Sequence, residues 1–525
     1  MVSYPETFFH RLILNAAREY GNRLALTDSD TGEHLTFAQF YEKSLRLAEA
    51  FRFRCELEKG DRILVILPNQ IQYPIVFIAA SLLGCPITGI NCESSNDELL
   101  CYFELVKPKA LVTLSDIYKT DLCERFNSSR IVVLHKSNEQ IGFDFDELIS
   151  ETKPLENEPT LQIDDVLIAP LSSGTGGTPK CVLLTHRNYN CATSILKHAV
   201  FDELSSSQGP RTTIAVLPFH HGSGFWALCY CLLEGHHSVV MPRFHPVLMF
   251  HCIEEYQVDT LNLVPVIVGF LCKYVDKVSQ WNVSTVRTVL CGSAPLGKEL
   301  SESFLKTFPH VTNLLQGYGM TEVVVLSHLT PLNLCANKAE HLGSCGRLLP
   351  GFEAKIVDVE SGEEKSQPNE KGELLVRSDA VMKGYLNDKE ATAQAIDADG
   401  WLHTGDVVFY DSEGFYYVVD RLKDLIKVNG LQVSPSEIED IIMLHEAVAE
   451  AAVIGIPDEH SGEVPMAFVV LKNEIENVNE IVRFANEKLA PYKHLRGGVE
   501  VIDEMPKGAS GKTLRRELRA KMQKM

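Results

Sequence analysis

The sequence has no excess of basic residues, since 70 Asp and Glu outnumber 49 Lys and Arg and leave a net charge of −21. This balance argues against a general role in binding nucleic acid or anionic membranes, although one local basic site can still bind phosphates. The 14 cysteines follow no paired spacing, so we expect buried thiols in a reducing compartment and no disulfide framework. Internal repeats and low-complexity segments are also missing.

A long uninterrupted apolar run is missing as well. The most membrane-like window, residues 73–91, contains Pro74 and Pro86 and has no basic flank, so we predict a buried helix and strand there. Pro5 and Glu6 stand where a signal peptide has its apolar core, so we expect no signal peptide and a soluble protein. The 525 residues predict two or three domains.

Strand-like and helix-like segments alternate through most of the chain. This alternation predicts an α/β fold in which parallel sheets are covered by helices. The predicted strands are 62–67, 110–113, 130–134 and 212–217, and the predicted helices are 72–83 and 226–233.

The pattern changes near residue 350, where short β segments at 354–359, 372–377 and 415–419 alternate with turns. After residue 420 the chain is rich in Lys and Glu, with helices predicted at 435–444 and 478–489. We therefore predict a large N-terminal domain of residues 1–420, with a β-rich subdomain at about 350–420, and a small α+β domain of residues 421–525.

The most informative segment is L-S-S-G-T-G-G-T-P-K-C-V-L-L-T-H at 171–186. Its hydroxyl groups and exposed backbone N–H groups can wrap polyphosphate oxygens, and Lys180 adds a cation. It is not a Walker A loop, because Pro179 and Lys180 precede the strand-like residues 181–184 and do not open a helix. The alternative interpretation is a Gly/Ser hairpin turn.

Four further motifs follow in order. They are Q-G-Y-G-M-T-E at 316–322, G-W-L-H-T-G-D at 400–406, D-R-L-K-D-L-I-K at 420–427 and P-K-G-A-S-G-K at 506–512. Together with the phosphate loop, this set resembles the adenylate-forming superfamily of acyl-CoA synthetases, coumarate–CoA ligases, firefly luciferase and peptide-synthetase adenylation domains. The resemblance covers residues 35–512. It implies an N-terminal AMP-binding domain, a mobile C-terminal lid domain, and ATP, Mg²⁺ and CoA as cofactors.

The resemblance also implies a role for individual residues. ATP or AMP would be bound by Ser172, Ser173, Gly174, Thr175, Gly176, Gly177, Thr178, Lys180, Gly292, Ser293, Ala294, Pro295, Gln316, Gly317, Tyr318, Gly319, Thr321, Asp406, Arg421 and Lys512. The catalytic residues would be Lys512, His221, Thr321 and Glu322, with Glu322 as the Mg²⁺ ligand. Lys423 would be the hinge residue, and Lys427, Gly430 and Gln432 would serve CoA.

Physical chemistry agrees with several of these roles. The Glu322 carboxylate is the hard oxygen ligand that Mg²⁺ prefers beside a triphosphate, and the Asp406 carboxylate can accept two ribose hydroxyls. Tyr318, between two glycines, can lie against a flat ligand. Lys512 can stabilise the charge that develops between the α-phosphate and the departing pyrophosphate. We reject zinc at His220 and His221, because adjacent histidines point apart.

The sequence departs from the family pattern at several positions. Gly176 replaces a hydroxyl residue, and a lost phosphate hydrogen bond is worth about 1.5–3 kcal/mol. Cys181 replaces a glycine, Cys92 a proline, and His220 an aromatic residue. Residues 323–325 are all Val where a small residue and Gly are common. We expect these valines to narrow the acyl pocket, which favours an aliphatic or slim aromatic acid.

The resulting prediction is an AMP-forming acid–CoA ligase for a fatty or arylalkenoic acid. The segment I-K-V-N-G-L-Q-V-S-P at 426–435 favours CoA as the acyl acceptor. A luciferase-like oxygenase and a catalytically impaired nucleotide-binding homologue remain as alternatives. We expect small-molecule partners only, with no nucleic acid and no stable membrane insertion. The location is expected to be cytoplasmic, with the peroxisome as the alternative, since Gln523-Lys524-Met525 is a weak match to a peroxisomal tripeptide.

Overall fold

The chain forms two compact units. The computed structural model describes residues 2–117, 120–137, 141–172, 179–206, 211–274, 280–332, 339–429, 431–458, 460–472, 477–508 and 513–523. The first unit comprises Met1–Gly174, Thr178–Glu353 and Arg377–Leu402, and the second comprises Thr175–Gly177, Ala354–Val376 and His403–Met525. The domain boundary at residue 420 stays a prediction.

Nine strands form the first sheet of the first unit. In spatial order they are β17 (Arg347–Leu348), β16 (His328–Leu329), β15 (Asn313–Tyr318), β14 (Thr288–Cys291), β13 (Thr260–Leu263), β11 (Thr212–Ala215), β12 (His237–Val240), β1 (Leu24–Asp28) and β2 (His34–Thr36). In this order the strands from β15 to β1 pair in parallel. The strands at the two edges of the sheet pair antiparallel. The carboxyl ends of the parallel strands therefore meet at one edge, where α/β proteins bind ligands.

The second sheet of this unit has a parallel centre as well. In spatial order its strands are β21 (Gly384–Tyr385), β10 (Lys180–Thr185), β8 (Val166–Ile168), β4 (Ile87–Gly89), β3 (Ile63–Ile66), β5 (Ala110–Leu114), β6 (Ile131–Leu134) and β7 (Phe143–Asp144), and β9 (Leu171–Ser172) pairs with β10. Every residue of β3, β4 and β6 is buried. Continuous apolar runs of this kind are typical of parallel strands covered on both faces.

Thirteen α-helices lie among the described residues of the first unit. They are α1 (Phe9–Tyr20), α2 (Phe37–Phe53), α3 (Tyr73–Leu82), α4 (Asn96–Val106), α5 (Thr120–Cys123), α6 (Phe145–Glu151), α7 (His186–Leu196), α8 (Asp202–Ser206), α9 (Gly222–Glu234), α10 (Pro246–Glu255), α11 (Pro265–Lys273), α12 (Lys298–Thr307) and α13 (Lys389–Ala395). A π-helix, Lys197–Phe201, joins α7 to α8. Capping boxes begin α2 at Thr36, α4 at Ser95 and α7 at Thr185.

The second unit holds two five-stranded sheets. One consists of β19 (Glu364–Lys365), β18 (Glu353–Val357), β20 (Gly372–Arg377), β22 (Leu402–Tyr410) and β23 (Tyr416–Arg421). The other consists of β25 (Leu431–Val433), β24 (Ile426–Val428), β27 (Gly462–Leu471), β26 (Val448–Asp458) and β28 (Val499–Val501). The helices of this unit are α14 (Pro435–Met443), α15 (Asn479–Asn486) and α16 (Arg515–Gln523). Its core includes Ile438 of α14, Val453 of β26 and Ile481 of α15.

The predicted α/β fold class is confirmed. The membrane-like window forms the buried helix α3 and the buried strand β4, and none of the helices that the structure describes is long and apolar enough to cross a membrane. The prediction placed the start of α9 at residue 226, whereas the helix begins at Gly222. The described cysteines are all free, and Cys101 is the one among them that is exposed.

The aromatic packing between α3 and α9 generates a stability prediction. Phe77 is 1% exposed, and its ring meets Phe225 edge-on at 4.7 Å. Phe77→Ala should lower the free energy of unfolding by about 3–5 kcal/mol, because a cavity replaces a closely packed ring. Phe53→Ala is the matched control, since Phe53 is 63% exposed. Denaturant unfolding checks both variants, and equal losses would contradict this account of the core.

Candidate active site

The described residues define the stem of the glycine-rich loop. Ser172 at the end of β9 pairs across the strands with Lys180 at the start of β10. The loop residues Ser173, Gly174, Thr175, Gly176, Gly177 and Thr178 lie outside the described residues. The Ser172 hydroxyl is buried and has no hydrogen-bond partner within the described part of the chain. The stem thus places one hydroxyl and one cation side by side at the two ends of the loop.

Tyr385 connects Lys180 to Glu322. Because β10 and β21 are antiparallel, with Val182 opposite Tyr385, the Tyr385 ring lies 4.7 Å from Lys180 Nζ, within the range of a cation–π contact. The Tyr385 hydroxyl donates a hydrogen bond of 3.0 Å to Glu322 Oε1. Burial and the Glu322 carboxylate raise the pKa of Tyr385, so the hydroxyl keeps the proton that it donates. The sequence reasoning missed this residue.

A strained turn follows Glu322. Thr321–Val323 form one turn of 3₁₀-helix, and Val324 then adopts φ 69° and ψ −59°. The Val325 N–H donates to the Val323 carbonyl at 2.8 Å, which completes a γ-turn of the rare positive-φ type. A β-branched residue is strained in this conformation, and Val324 is completely buried. The turn positions the buried Glu322 carboxylate so that it accepts a hydrogen bond from Tyr385. The strained residue, Val324, is only two positions further along the chain.

His221 lies against the same turn. It is the N-cap residue of α9, and its Nδ1 atom is 3.3 Å from the Ser223 hydroxyl. A Cβ atom on Gly222 would lie 3.2 Å from the Val324 carbonyl and 4.0 Å from Thr321 Oγ1, so the start of α9 is close to Thr321. Burial lowers the pKa of His221. The structure therefore brings His221, Thr321 and Glu322 together.

The residues predicted to surround adenine follow two neighbouring parallel strands. Cys291 of β14 is in register with Gln316 of β15, so the segment Gly292, Ser293, Ala294 and Pro295 emerges beside Gly317. The Gln316 side chain accepts from Leu296 N at 3.2 Å and donates to Leu296 O at 3.0 Å. Both groups of the Gln316 amide therefore hold the 292–296 turn in place.

The glycines around Tyr318 permit a close approach of the chain to itself. A side chain at Gly319 would overlap the carbonyl of Val325, and one at Gly317 would meet Leu326. Tyr318 is half-buried, and its ring makes an edge contact with His328 at 5.7 Å. Both glycines therefore accommodate the segment that returns after Glu322, and their assignment to nucleotide binding stays a prediction.

The second unit holds the predicted ribose residues. Asp406 and Arg421 are opposite each other on β22 and β23, and Asp406 Oδ1 is 3.0 Å from Arg421 Nε. The Asp406 N–H donates to Thr404 Oγ1, which in turn donates to the Leu374 carbonyl at 2.7 Å. The adjacent Asp420 accepts hydrogen bonds from the Ser434 hydroxyl and the Ser436 N–H. The ion pair with Arg421 and the hydrogen bond to Thr404 hold Asp406 in the middle of β22.

The predicted hinge and CoA residues lie close together in sequence, and the structure describes three of them, Lys423, Lys427 and Gln432. Lys423 is exposed in the 3₁₀ turn Leu422–Asp424. Lys427 and Gln432 are paired across β24 and β25, and both are exposed. Gly430 lies outside the described residues. The pairing shows that Lys427 and Gln432 can act on one ligand.

Lys512 also lies outside the described residues, but the base of its loop is described. Lys507 and Thr513 form an antiparallel bridge, and the Leu514 N–H donates to the Pro506 carbonyl at 2.8 Å. Lys507 is paired with Glu450 at 2.6 Å. The described residues on the two sides of Lys512 are therefore bonded to each other.

The residues present fit a magnesium ion that is held mainly by phosphate oxygens. No three His, Cys, Asp or Glu side chains in the described part of the chain are grouped to hold a metal. Mg²⁺ commonly takes one or two carboxylates and completes its coordination with water and substrate phosphates. Glu322 supplies one buried carboxylate, and Thr321 adds a neighbouring hydroxyl.

Cys181 does not disturb the loop stem. Its thiol lies in a small apolar cluster with Val106 and Ala169 and is within hydrogen-bond distance of the Ala169 carbonyl, at 3.4 Å. Burial raises the pKa of Cys181 to about 12. This replacement of the usual glycine therefore fills the core behind β10.

Known proteins share this architecture. The family model described as AMP-binding enzyme matches residues 13–386, and the model of its C-terminal domain matches residues 437–512. The chain is 34% identical to luciferin 4-monooxygenase of Photinus pyralis, with 94% of this chain and 90% of that protein covered. It is 35% identical to 4-coumarate–CoA ligase 1 of Narcissus pseudonarcissus, with coverage of 98% and 93%. The structure of o-succinylbenzoate CoA synthetase from Bacillus subtilis with its acyl-adenylate is 29% identical, with 97% of each chain covered and a TM-score of 0.81.

The folds and the ordered motifs define an enzyme of the AMP-forming acid–thiol ligase class. The chain belongs to the AMP-binding, adenylate-forming family of enzymes. The predicted resemblance and the predicted enzyme class are thereby confirmed. The assignment of individual site residues stays a prediction.

The strained turn generates a prediction that compares two neighbouring valines. Val323 and Val324 are both buried, but only Val324 has a positive φ. Val324→Gly should be less destabilising than Val323→Gly by about 1–3 kcal/mol, because glycine relieves the backbone strain at position 324. Denaturant unfolding of both variants checks the difference. Equal losses of stability would show that the turn is not strained.

Proposed function

We propose that the chain activates a carboxylic acid and transfers it to CoA. In the first step a carboxylate oxygen attacks the α-phosphate of ATP, which forms acyl-AMP and releases pyrophosphate. In the second step the CoA thiol loses its proton and attacks the acyl carbonyl, which forms the thioester and releases AMP. The single observation that carries the proposal is the linked arrangement of Lys180, Tyr385 and Glu322, which fits a magnesium–polyphosphate group beside the glycine-rich loop.

In the first unit we assign phosphate binding to the loop stem and Glu322. Lys180 would pair with phosphate oxygens, as would the Ser172 and Thr321 hydroxyls. Glu322 would hold Mg²⁺, which when bound neutralises phosphate charge and favours departure of pyrophosphate. The low pKa of His221 keeps its imidazole neutral at pH 7, so it can donate a hydrogen bond to the reacting carboxylate without forming a competing ion pair.

In the second unit we assign the ribose hydroxyls to Asp406 and a neighbouring oxygen to Arg421. Their mutual ion pair at 3.0 Å orients the carboxylate. Lys512 would place its ammonium group at the α-phosphate, where negative charge develops. Lys427 and Gln432 would contact CoA. Lys423 would be the hinge about which the C-terminal domain turns between the two half-reactions.

A luciferase-like oxygenase is the second candidate, because the luciferin 4-monooxygenase is as similar to this chain as the ligases are. Both classes begin with an acyl-adenylate, so they separate only at the second step. The substrate that we propose is a fatty or arylalkenoic acid, and the location that we propose is the cytoplasm, with the peroxisome as the alternative.

The proposed reaction is tested with ATP, Mg²⁺, CoA and a panel of short to long fatty acids and hydroxycinnamates. AMP and acyl-CoA should form together. Lys512→Ala should slow acyl-adenylate formation by about 10²–10³-fold, because it removes a charge that stabilises the transition state. Lys507→Ala is the matched control, since Lys507 is paired with Glu450 at the base of the same loop, and it should retain most of the activity.

Three other results would overturn the proposed ligase. Acyl-AMP that forms without a thioester, with light emitted in oxygen, would establish the oxygenase. ATP binding without turnover of any acid would establish an impaired homologue. Equal losses in Lys512→Ala and Lys507→Ala would remove Lys512 from the mechanism.

Tyr385 provides a separate prediction about magnesium. Tyr385→Phe removes the hydrogen bond to Glu322 and leaves the ring beneath Lys180. A hydrogen bond to a charged group is worth about 1.5–3 kcal/mol, so the Mg²⁺ concentration for half-maximal activity should rise about tenfold or more. Tyr417→Phe, which removes a hydroxyl bound to Asp411 in the second unit, is the control. An unchanged magnesium dependence in Tyr385→Phe would show that Glu322 does not need this partner.

A further inference from the structure

Two adjoining cavities lie between α9 and the first sheet. The proximal cavity is lined by Leu217, Gly224 and Leu228, and the distal cavity by Arg211, Trp226 and Tyr230. Both are lined by Thr213, Ala227, Cys231 and Asn262, so they meet along one face of the helix. The distal cavity has about 440 Å³ of space outside the protein atoms, part of it open to solvent. Its free interior is narrow.

The proximal end of this path lies close to the candidate active site. Gly224 belongs to the same first turn of α9 as Gly222, whose Cβ position is 4.0 Å from Thr321 Oγ1. From Gly224 to Cys231 the helix rises about 10 Å. A slim chain that runs along α9 from the side of His221 would have to extend about this far to reach the distal cavity.

Aromatic rings form much of the distal wall. Trp226 and Tyr230 stack at 5.3 Å, and Phe201 lies 4.6 Å from Tyr230. Phe201 is the last residue of the π-helix Lys197–Phe201. Short π-helical segments occur frequently at functional sites. The indole N–H of Trp226 is already bound to Thr193 Oγ1 at 3.1 Å, so this wall offers the ligand apolar ring surface.

Arg211 forms the polar end of the distal cavity. Its side chain is 7% exposed, and its Nη groups donate to Thr260 Oγ1 and the Leu204 carbonyl. Nη1 is also 4.0 Å from Asp259, which supplies a distant counter-charge. The Nε–H has no hydrogen-bond partner in the described part of the chain. A buried guanidinium donor without a partner is costly, so the arrangement favours a ligand oxygen at this point.

A second unpartnered group lies in the same cavity. Thr213 is 4% exposed, and its Oγ1 has no hydrogen-bond partner within the described residues. His236, also in the wall, accepts from the Arg211 backbone N–H at 3.2 Å, and burial lowers its pKa to about 4. The histidine is therefore neutral, and Arg211 carries the one positive charge among the described lining residues.

We propose that the distal cavity holds the far end of the acid substrate and that this end carries an oxygen, as a carboxylate or a hydroxyl group, which accepts from Arg211 Nε. The inference rests on the proposed ligase function and specifies its substrate class. The substrate would be a slim aliphatic acid with an oxygen at the terminus opposite the reacting carboxylate. The valines after Glu322 and the narrow cavity both disfavour a branched chain.

The test compares matched acids of equal length on the full-length protein with ATP, Mg²⁺ and CoA. The series are monocarboxylic acids, dicarboxylic acids and terminally hydroxylated acids, and kcat/KM is measured by pyrophosphate release. For acids long enough to reach Arg211, kcat/KM should be at least tenfold higher for one of the two oxygenated series than for the monocarboxylic acid of equal length. The preferred series identifies the terminal group as carboxylate or hydroxyl. Equal kcat/KM values for all three series would overturn the inference and leave the ligase standing, whereas activation of no acid would overturn both.

Arg211→Lys should reduce the preference for the oxygenated acid over the monocarboxylic acid about tenfold or more, because lysine lacks the Nε donor. Arg287→Lys is the control, since Arg287 bonds the His310 carbonyl outside the cavity, and it should keep the preference. Thr213→Val removes the second polar group with little change of shape and should also reduce the preference. If the preference survives both Arg211→Lys and Thr213→Val, the terminal oxygen is not bound here.

Blocking the path gives a measurement that does not depend on Arg211. Ala227 lines both cavities, so Ala227→Leu should lower kcat/KM for long acids at least tenfold more than for short ones.

Binding of the acid in the absence of ATP is followed by Trp226 fluorescence. The fluorescence should change when the oxygenated acid is added to the unmodified protein, and it should not change in Trp226→Phe. An equal effect of Ala227→Leu on all chain lengths, or an unchanged fluorescence signal, would show that the cavity holds only solvent.

Discussion

The antiparallel pairing of β10 with β21 is the constraint on which the candidate phosphate site depends. It joins two segments that are about 200 residues apart in the chain, and it places Tyr385 beside Lys180 and within reach of Glu322. Without this pairing, the three residues would lie in separate parts of the chain. The cation and the aromatic hydroxyl are thereby held on strand ends, where the backbone is fixed by sheet hydrogen bonds, and the hydroxyl is bonded to the carboxylate of the neighbouring 3₁₀ turn. Charged groups that are preorganised in this way need little rearrangement during a reaction.

Much of the fold could be predicted from local patterns. The strand at 372–377 was placed on its observed residues, and the alternation of strands and helices correctly indicated parallel sheets. The start of α9 was missed because Gly222 and Gly224 are poor helix formers. Gly224 is needed there, since any side chain would overlap the carbonyls of Leu217 and Pro218. Tertiary packing therefore overrides the local preference at this helix start.

The site was only partly predictable. The ordered motifs pointed to Glu322, Asp406 and Arg421, and the last two are indeed paired. No sequence motif marked Tyr385 as a site residue. Its partner Glu322 is 63 residues away, and no sequence spacing predicts a contact between a strand and a turn at that separation. The three valines after Glu322 were noticed as a departure from the family pattern. Their sequence could not show that the middle one occupies a positive φ, since that conformation is imposed by the packing of the returning segment against Gly319.

The distribution of cysteines has a practical consequence. Most of the described thiols are buried, and burial raises the pKa of Cys55, Cys85, Cys181, Cys231 and Cys291 to about 12. Because the thiolate is the reactive form, these side chains resist alkylating reagents in the native protein. Cys101 on α4 is exposed. Cys101 thus offers an exposed native attachment point for a fluorophore or spin label, once the half-buried Cys92, Cys272 and Cys345 and also Cys335, which lies outside the described residues, are replaced.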